Sequence, residues 1–513
     1  METMTSALLR TKKLFGDRPA IVDAERNFTW GEHLDRVEKL AGALAGLGIN
    51  KGDRFGIIGP NTFRYTELIH ASYWAGAIPV PINHRLAPPE IIHILEDAEI
   101  NYLALGEDYL KLTEDDLLAP WKDKRICIGA TSSEKDVPAL DEILNAADPV
   151  DPHDPQEDDL AILLYTGGTT GRSKGVQLTH RNIFSNGWQM INAMDIVKDD
   201  IYLHVAPMFH AADLLGSGFT MNGAAHAYLP VFSPTDALQA MQDYKVTQAM
   251  MAPTMIIMIL EESTFDDYDI PSYRNLFYGS SPMAAEWVKK SIEKFTNAEV
   301  QQGYGLTETS PILTILEAED HRKALESGDI SILRAAGRPV VGLDLKILDD
   351  DGKEVPTGDA GEVCVRGPNV TPGYLNRPDE NEKAFKNGWF HTGDVGRVDE
   401  NGVMFLMDRK KDMIVSGGEN IYTSEVEAAL YKHPDVFECA VIGVPDEKFG
   451  ESLFAVIVPA PGKTLTDVII INHCRELIAG YKIPRKMDFV EALPKSAMAK
   501  ILKNELRDTY GNK

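Results

Sequence analysis

The segment Tyr165–Gly175 reads YTGGTTGRSKG and concentrates groups that bind anions. Gly167, Gly168, Gly171 and Gly175 allow the backbone to turn tightly and aim N–H groups inward. The hydroxyls of Thr166, Thr169, Thr170 and Ser173 add donors, and Arg172 and Lys174 add positive charge. Such a loop can wrap a polyphosphate. It is not a Walker A loop, because no G-x-x-x-x-G-K-[ST] spacing can be fitted to it. Glycine, threonine and serine richness also describes an ordinary polar turn, so the loop needs support from the rest of the chain.

The elements around it predict layered α/β structure. The loop follows an apolar strand, LAILLY, and precedes a predicted helix beginning near Thr179. Over the first 340 residues or so, strand-like runs alternate with amphipathic helix patterns. Phe55–Gly59 reads as a short strand ending in a Pro-Asn turn, Arg64–Trp74 as a helix and Ile78–Ile82 as a second strand, a βαβ pattern. Val246–Leu260 (VTQAMMAPTMIIMIL) reads as a buried helix. Ala146–Asp159, rich in proline and acidic residues, reads as a solvated linker or surface loop. Beyond about residue 340, DDDGKE, PTGDAGE and RVDENGVMF signal hairpins of a small β subdomain. The charged run Asp408–Asp412 (DRKKD) interrupts them and opens a final segment of roughly 100 residues, the size of a small domain. There, Ser424 to Glu427 predicts a capping box opening a helix through His433. A second helix is predicted from Thr466 to Ala479, stopped by Gly480.

Composition bounds the function. The chain has 513 residues, too many for one hydrophobic core and suited to two or three domains. With 44% apolar and 25% charged residues it is ordinary globular protein rather than disordered chain. Charge is the outlier: 51 Lys and Arg face 78 Asp and Glu, a formal net charge of −27. That argues against general nucleic-acid or anionic-membrane binding, and a polyanionic substrate would need a local basic site. Cys127, Cys364, Cys439 and Cys474 lie far apart, with no CxxC, which fits a reducing cytosol and speaks against a zinc site. The N-terminal METMTSALLRTKKLF lacks the apolar stretch of a secretory signal, and no window has the length of a membrane span. The expectation is a cytoplasmic protein.

The loop resembles the signature of the adenylate-forming (ANL) superfamily: acyl-CoA synthetases, luciferases and peptide-synthetase adenylation domains. That signature usually reads [YF]-T-S-G-[ST]-T-G-x-P-K-G, with Gly167 here in place of Ser and Ser173 in place of Pro. Further matches follow in the family's order. Ala206–His210 (APMFH) resembles the segment that sets an aromatic or His side chain beside the acyl carboxylate. Gly279, Ser280, Ser281 and Pro282 resemble the strand end along adenine. Gln302–Thr309 (QGYGLTET) resembles the Y-G-x-T-E motif. His391–Asp394 (HTGD) and the DRKKD run resemble the ribose-binding Asp and an Arg-bearing hinge. Gly417–Val426 resembles the glycine-containing stretch after that hinge. Pro494–Arg507 resembles the P-K-[ST]-x-x-G-K-[IL] motif of the catalytic lysine, with Ala499 where the family nearly always has Gly. If that Gly has positive φ, Ala499 strains the loop; if φ is negative, it is harmless.

The resemblance implies a large N-terminal AMP-binding domain, residues 1–408, of layered α/β subdomains plus a small β subdomain. A small mobile α+β lid, residues 409–513, follows, hinged near Lys411. The implied reaction joins a carboxylate to AMP, releases pyrophosphate, and passes the acyl group to the thiol of coenzyme A. Lys500 would lie between carboxylate and phosphate, with Glu308 holding Mg²⁺, Thr307 donating to the α-phosphate, and His210 beside the acyl group. Thr166, Gly167, Gly168, Thr169, Thr170, Gly171 and Lys174 would hold the departing phosphates of ATP. Gly279, Ser280, Ser281, Gln302, Gly303 and Tyr304 would line adenine, with Asp394 and Arg409 on the ribose. Ser416, Gly417, Gly418 and Glu419 would meet the pantetheine arm of CoA, with Lys482, Arg485 and Lys486 as candidates for its phosphates. A homodimer is compatible with the family. Pocket residues are expected in Val205–Gly218, Val246–Leu260 and Leu276–Leu306, largely apolar and without a charge placed for a second carboxyl. That favours a hydrophobic monocarboxylate, a fatty acid ahead of an aryl acid. A carrier-protein ligase and a non-catalytic nucleotide- or acyl-binding protein are the alternatives.

Overall fold

Arg54–Ile58, Ile78–Pro81, Tyr102–Leu105 and Arg125–Cys127 are short, almost wholly buried strands of one parallel sheet. Burial on both faces is why they read as apolar runs without alternation. The computed structural model describes residues 2–166, 173–281, 283–416, 419–446, 449–495 and 501–511. The expected βαβ unit is present. Helix Phe63–Ala75 joins the first two strands, started by Thr62, whose side chain accepts from Tyr65 N, and stopped by left-handed Gly76.

A larger sheet forms the second layer. Its parallel strands lie in the order Glu299–Gly305, Asn275–Gly279, Gln248–Met251, Ile201–His204, Ala225–Tyr228 and Pro19–Ile21. Antiparallel Ile312–Leu316 and Arg338–Pro339 finish one side, and Phe28–Thr29 the other. The run expected as one buried helix therefore divides. Gln248–Met251 is a fully buried strand, and Pro253 opens the helix Pro253–Leu260. A short apolar run fits either state; the proline, welcome at a helix start and restrictive for the residue before it, was the deciding signal.

A third sheet carries the glycine-rich segment. Leu160–Thr166 pairs antiparallel with Lys174–Thr179, which also pairs with Gly373–Tyr374. A strand thus stands between the loop and the helix His180–Ala193, which Thr179 caps by accepting from Asn182 N at 3.2 Å. The acidic, proline-rich stretch after Ala146 is a surface loop tied to helix Phe63–Ala75. Trp74 Nε1 donates to Val150 O, and His153 N to Trp74 O.

The chain divides into two compact units, Met1–Asp344 with Val365–Phe390, and Leu345–Cys364 with His391–Lys513. The second contains the expected hairpins, with Asp394–Val398 paired to Met404–Arg409. Its other sheet runs Glu419–Ile421, Ile414–Ser416, Gly450–Pro459 and Val436–Asp446, with Lys486–Phe489 parallel to Gly450–Pro459. Helix Thr423–Leu430 has no capping box, because tertiary partners take both side chains. Ser424 donates to Met407 O, and Glu427 pairs with Lys503 at 2.7 Å. Lys503 also donates to Thr423 Oγ1, which donates to Asp408, so the terminal helix Lys503–Tyr510 is anchored to a strand end. The other predicted helix is shorter, Asp467–Arg475, with Gly480 opening a 3₁₀ turn. No helix among the described residues is long and apolar enough to cross a membrane.

Four buried histidines link stability to pH. Burial holds His33 and His226 well below the usual value of 6.5, His70 at about 3 and His180 at about 4. Below 6.5 the unfolded chain binds protons that the folded chain does not, so stability falls as pH drops from there toward 4. Each histidine contributes up to about 1.4 kcal/mol per pH unit. Buried Glu67 and half-buried Glu427, whose carboxyl pKa values desolvation raises, act in the opposite sense, so a variant isolates the effect. In urea unfolding between pH 4.5 and 6.5, chosen as about two units below the free imidazole value, His70→Gln should lessen the pH slope by one such increment. An equal slope contradicts this.

Candidate active site

The register Tyr165↔Gly175 and Thr166↔Lys174 pairs the two ends of the glycine-rich segment in an antiparallel ribbon. Gly167, Gly168, Thr169, Thr170 and Gly171 lie outside the described residues; the ribbon's base does not. Tyr165 donates its hydroxyl to Asp97 at 2.7 Å, and Asp97 pairs with Arg377 at 2.9 Å. A Cβ on Gly175 would stand 3.1 Å from Tyr165 Cζ, so glycine lets the strand pass its neighbour's ring. Lys174 pairs with Glu380, and its Nζ lies 5.4 Å from the centre of the Tyr374 ring.

The adjacent ends of Asn275–Gly279 and Glu299–Gly305 also require glycine. A Cβ on Gly279 would meet Gly303 O at 2.7 Å, and one on Gly305 would meet Pro311 O at 1.8 Å. Beyond Gly279 the chain turns through Ser280, exposed at φ 71°, to half-exposed Ser281. Gln302 accepts from the Tyr278 hydroxyl at 3.1 Å, and Tyr304 is half-buried on the same strand. A 3₁₀ turn, Thr307–Thr309, then buries Thr307 and directs Glu308 to Tyr374, whose hydroxyl donates to Glu308 Oε1 at 2.8 Å. Tyr374 thus touches two predicted residues, Lys174 and Glu308. Sequence reasoning missed it; the signal was a lone Gly-Tyr in a polar, turn-rich stretch.

Ala206–His210 is held by a residue that was also missed. Asn61 Nδ2 donates to His204 O and Ala206 O, and its Oδ1 accepts from Met208 N, each at 2.9 Å. The Pro-Asn turn after the first βαβ strand is therefore a brace. His210 is half-buried and caps the turn Ala211–Leu215, its Nδ1 accepting from Ala212 N at 3.3 Å.

In the second unit, Asp394 and Arg409 face each other across a hairpin, and their side chains pair at 2.8 Å. Asp394 is buried, and left-handed Gly393 (φ 71°) precedes it within the strand Trp389–Val398. The strand is positioned there by Glu362, which accepts from Gly393 N at 3.2 Å and pairs with Lys410 at 3.3 Å. His391 lies 3.1 Å from Glu362 and 3.3 Å from Cys364 Sγ, a Glu-Cys-His grouping that the sequence did not show. Burial pushes the Cys364 thiol up to about 12. Desolvation by its surroundings lowers the pKa of Lys411, which is exposed in a turn.

Ser416 and Glu419 pair in direct register between antiparallel strands, half-exposed and exposed respectively. Gly417 and Gly418, between them, lie outside the described residues, as do Lys500 and Ala499. Lys482 is held by both oxygens of Glu425 at 2.7 Å, and Arg485 lies 5.1 Å from the Phe449 ring. Lys486 is exposed.

The AMP-binding enzyme model matches residues 8–375, and the AMP-binding enzyme C-terminal domain model matches residues 425–500. The chain belongs to the AMP-binding enzyme family. Within it, a feruloyl-CoA synthase from Amycolatopsis sp is 36% identical over 94% of each chain. A fatty acid–[acyl-carrier-protein] ligase, ScoC, from Streptomyces coeruleorubidus is 33% identical over 96% of this chain and 93% of its own. The solved o-succinylbenzoate CoA synthetase (MenE) from Bacillus subtilis, in complex with its acyl-adenylate intermediate, matches with TM-score 0.85 and 31% identity over 98% of each chain.

The contact through Tyr374 gives a test. A hydrogen bond to a charged group contributes about 1.5–3 kcal/mol, so Tyr374→Phe should slow ATP–pyrophosphate exchange about tenfold or more. Exchange at the unmodified rate, with any acid that the wild type activates, contradicts a role for this bond.

Proposed function

We propose that the protein is an ATP-dependent acid–CoA ligase acting on a hydrophobic monocarboxylic acid. The observation that carries this reading is the contact of Lys174 and Glu308 with Tyr374 at the base of the glycine-rich loop, in a chain that matches both AMP-binding models. In the first step a carboxylate oxygen attacks the α-phosphorus of ATP, and pyrophosphate leaves. In the second, the CoA sulfur attacks the carbonyl of the acyl-adenylate, its proton is lost and AMP leaves.

The first step brings anion against anion. Unit like charges 4 Å apart repel by about 4 kcal/mol at an effective dielectric near 20. In this reading Lys500 supplies the neutralising ammonium, and Thr307 donates to the α-phosphate. The Thr166–Lys174 loop holds the leaving phosphates, and Asp394 with Arg409 takes the ribose hydroxyls. Gly279 to Ser281 and Gln302 to Tyr304 line adenine. Glu308 suits Mg²⁺, since a cation that keeps most of its shell for phosphates and water needs few protein carboxylates, and bound there it would offset phosphate charge. We assign residues 1–408 to the nucleotide-binding body and 409–513 to a lid turning about Lys411, which would exchange Lys500 for Ser416–Glu419 between the two steps. The exposed turn position of Lys411, between the strands Met404–Arg409 and Ile414–Ser416, favours that assignment.

The relatives differ in acid and acceptor, so the acid class rests on this chain's apolar pocket segments. An aryl acid is the second reading, favoured by the likeness to feruloyl-CoA synthase. Pyrophosphate release across a panel of carboxylic acids, with and without CoA, tests the proposal. At least one hydrophobic acid should release pyrophosphate without thiol and turn over repeatedly with CoA. No release with any acid, or release that CoA never accelerates, contradicts it.

A further inference from the structure

Beside the His210 segment, the larger unit has a half-open cavity of about 60 Å³ whose lining includes Tyr65, His70, His204, His210, Asp213 and His226. That is room for a few water-sized groups. No lysine or arginine is among its lining residues. Asp213 Oδ1 lies 2.5 Å from His204 Nδ1, which donates to the carboxylate. His204 Nε2 lies 2.9 Å from His226 Nδ1, and His226 Nε2 lies 3.0 Å from the Thr220 hydroxyl. Burial keeps His226 neutral and raises the Tyr65 phenol well above its usual range, helped by the charge of Asp213.

One polar atom on this wall is unanswered. Tyr65 is 1% exposed, and its hydroxyl has no hydrogen-bond partner among the described residues. Buried polar groups are nearly always paired, so an unpaired hydroxyl on a cavity wall marks the place of a missing partner. The lining includes a phenolic donor and a carboxylate acceptor. A hydroxyl, which accepts and donates through one atom, matches both. A second carboxylate would face Asp213 with no cation to offset it, and an alkyl end would leave Tyr65 unpaired.

We propose that this cavity is the distal subsite for the acid and takes a hydroxyl group, which donates to Asp213 and accepts from Tyr65. The acid is then a hydroxylated monocarboxylate, reaching the cavity past His210. This rests on the ligase reading, since His210 is the residue placed beside the acyl group. Gly216 contributes by close approach, because a Cβ there would meet His204 Cε1 at 2.9 Å.

The test uses the full chain and acid pairs differing by one hydroxyl: cinnamate with 4-hydroxycinnamate, and octanoate with 8-hydroxyoctanoate. The readout is kcat/KM for pyrophosphate release. In at least one pair the hydroxylated member should be preferred about tenfold or more, because a site built to bond a hydroxyl rejects the analogue lacking it. Tyr65→Phe, which changes no shape, should bring that ratio toward one, as should Asp213→Asn. Ratios near one in every pair, or ratios that neither variant moves, mean the cavity holds water only and overturn the inference. No turnover of any acid contradicts the ligase reading itself, and this inference with it.

Discussion

Two anions must bond inside a protein whose own formal charge is −27. The arrangement of the described cations follows from that constraint. Lys174 is held by Glu380, and Arg409 by Asp394. Each pairing orients a cation at modest cost, but it also offsets much of the field that the cation could apply to a phosphate. Fixed, partnered cations can therefore bind and orient a nucleotide. Driving a carboxylate onto the α-phosphorus needs positive charge that arrives with the reaction, from a divalent ion carried by ATP or from a lysine on a moving segment.

Around that requirement the fold supplies rigidity where backbones must come close. Gly279, Gly303 and Gly305 allow two strand ends and the following turn to approach within distances that no side chain tolerates. Asn61 clamps three backbone groups of the next segment, and Tyr374 spans from the ribbon to the 3₁₀ turn. In the second unit the carboxylates of Asp408 and Asp412 hold the helix after the proposed catalytic lysine, through Thr423 and Lys503 and through Arg507. Preorganisation of this kind, rather than strong individual contacts, is what phosphoryl chemistry asks of a protein.

The site was legible in the sequence to the extent that its residues travel in short motifs. Within the first unit Gln302–Thr309 forms a strand end and the turn after it, and within the second Asp394 and Arg409 pair across one hairpin, so each short motif is placed by local chain geometry. Asn61 and Tyr374 were not legible, since each acts on a segment far away in sequence and carries no local pattern. The same division holds for the fold. The first βαβ unit and the late hairpins follow from local alternation and turn residues. The strand Gln248–Met251 was hidden because burial on both faces erases the alternation that tells strand from helix. The expected capping box failed for a tertiary reason: Glu427 is drawn to Lys503, and Ser424 to a strand carbonyl.

The central claim is that a mobile ammonium, that of Lys500, serves only the step in which two anions meet. It is tested most directly in Lys500→Ala by comparing the half-reactions: adenylate formation from acid and ATP, and thioester formation from a preformed acyl-adenylate and CoA. The account predicts loss of nearly all of the first with the second close to wild type. Equal losses in both, or an unimpaired first step, would contradict it.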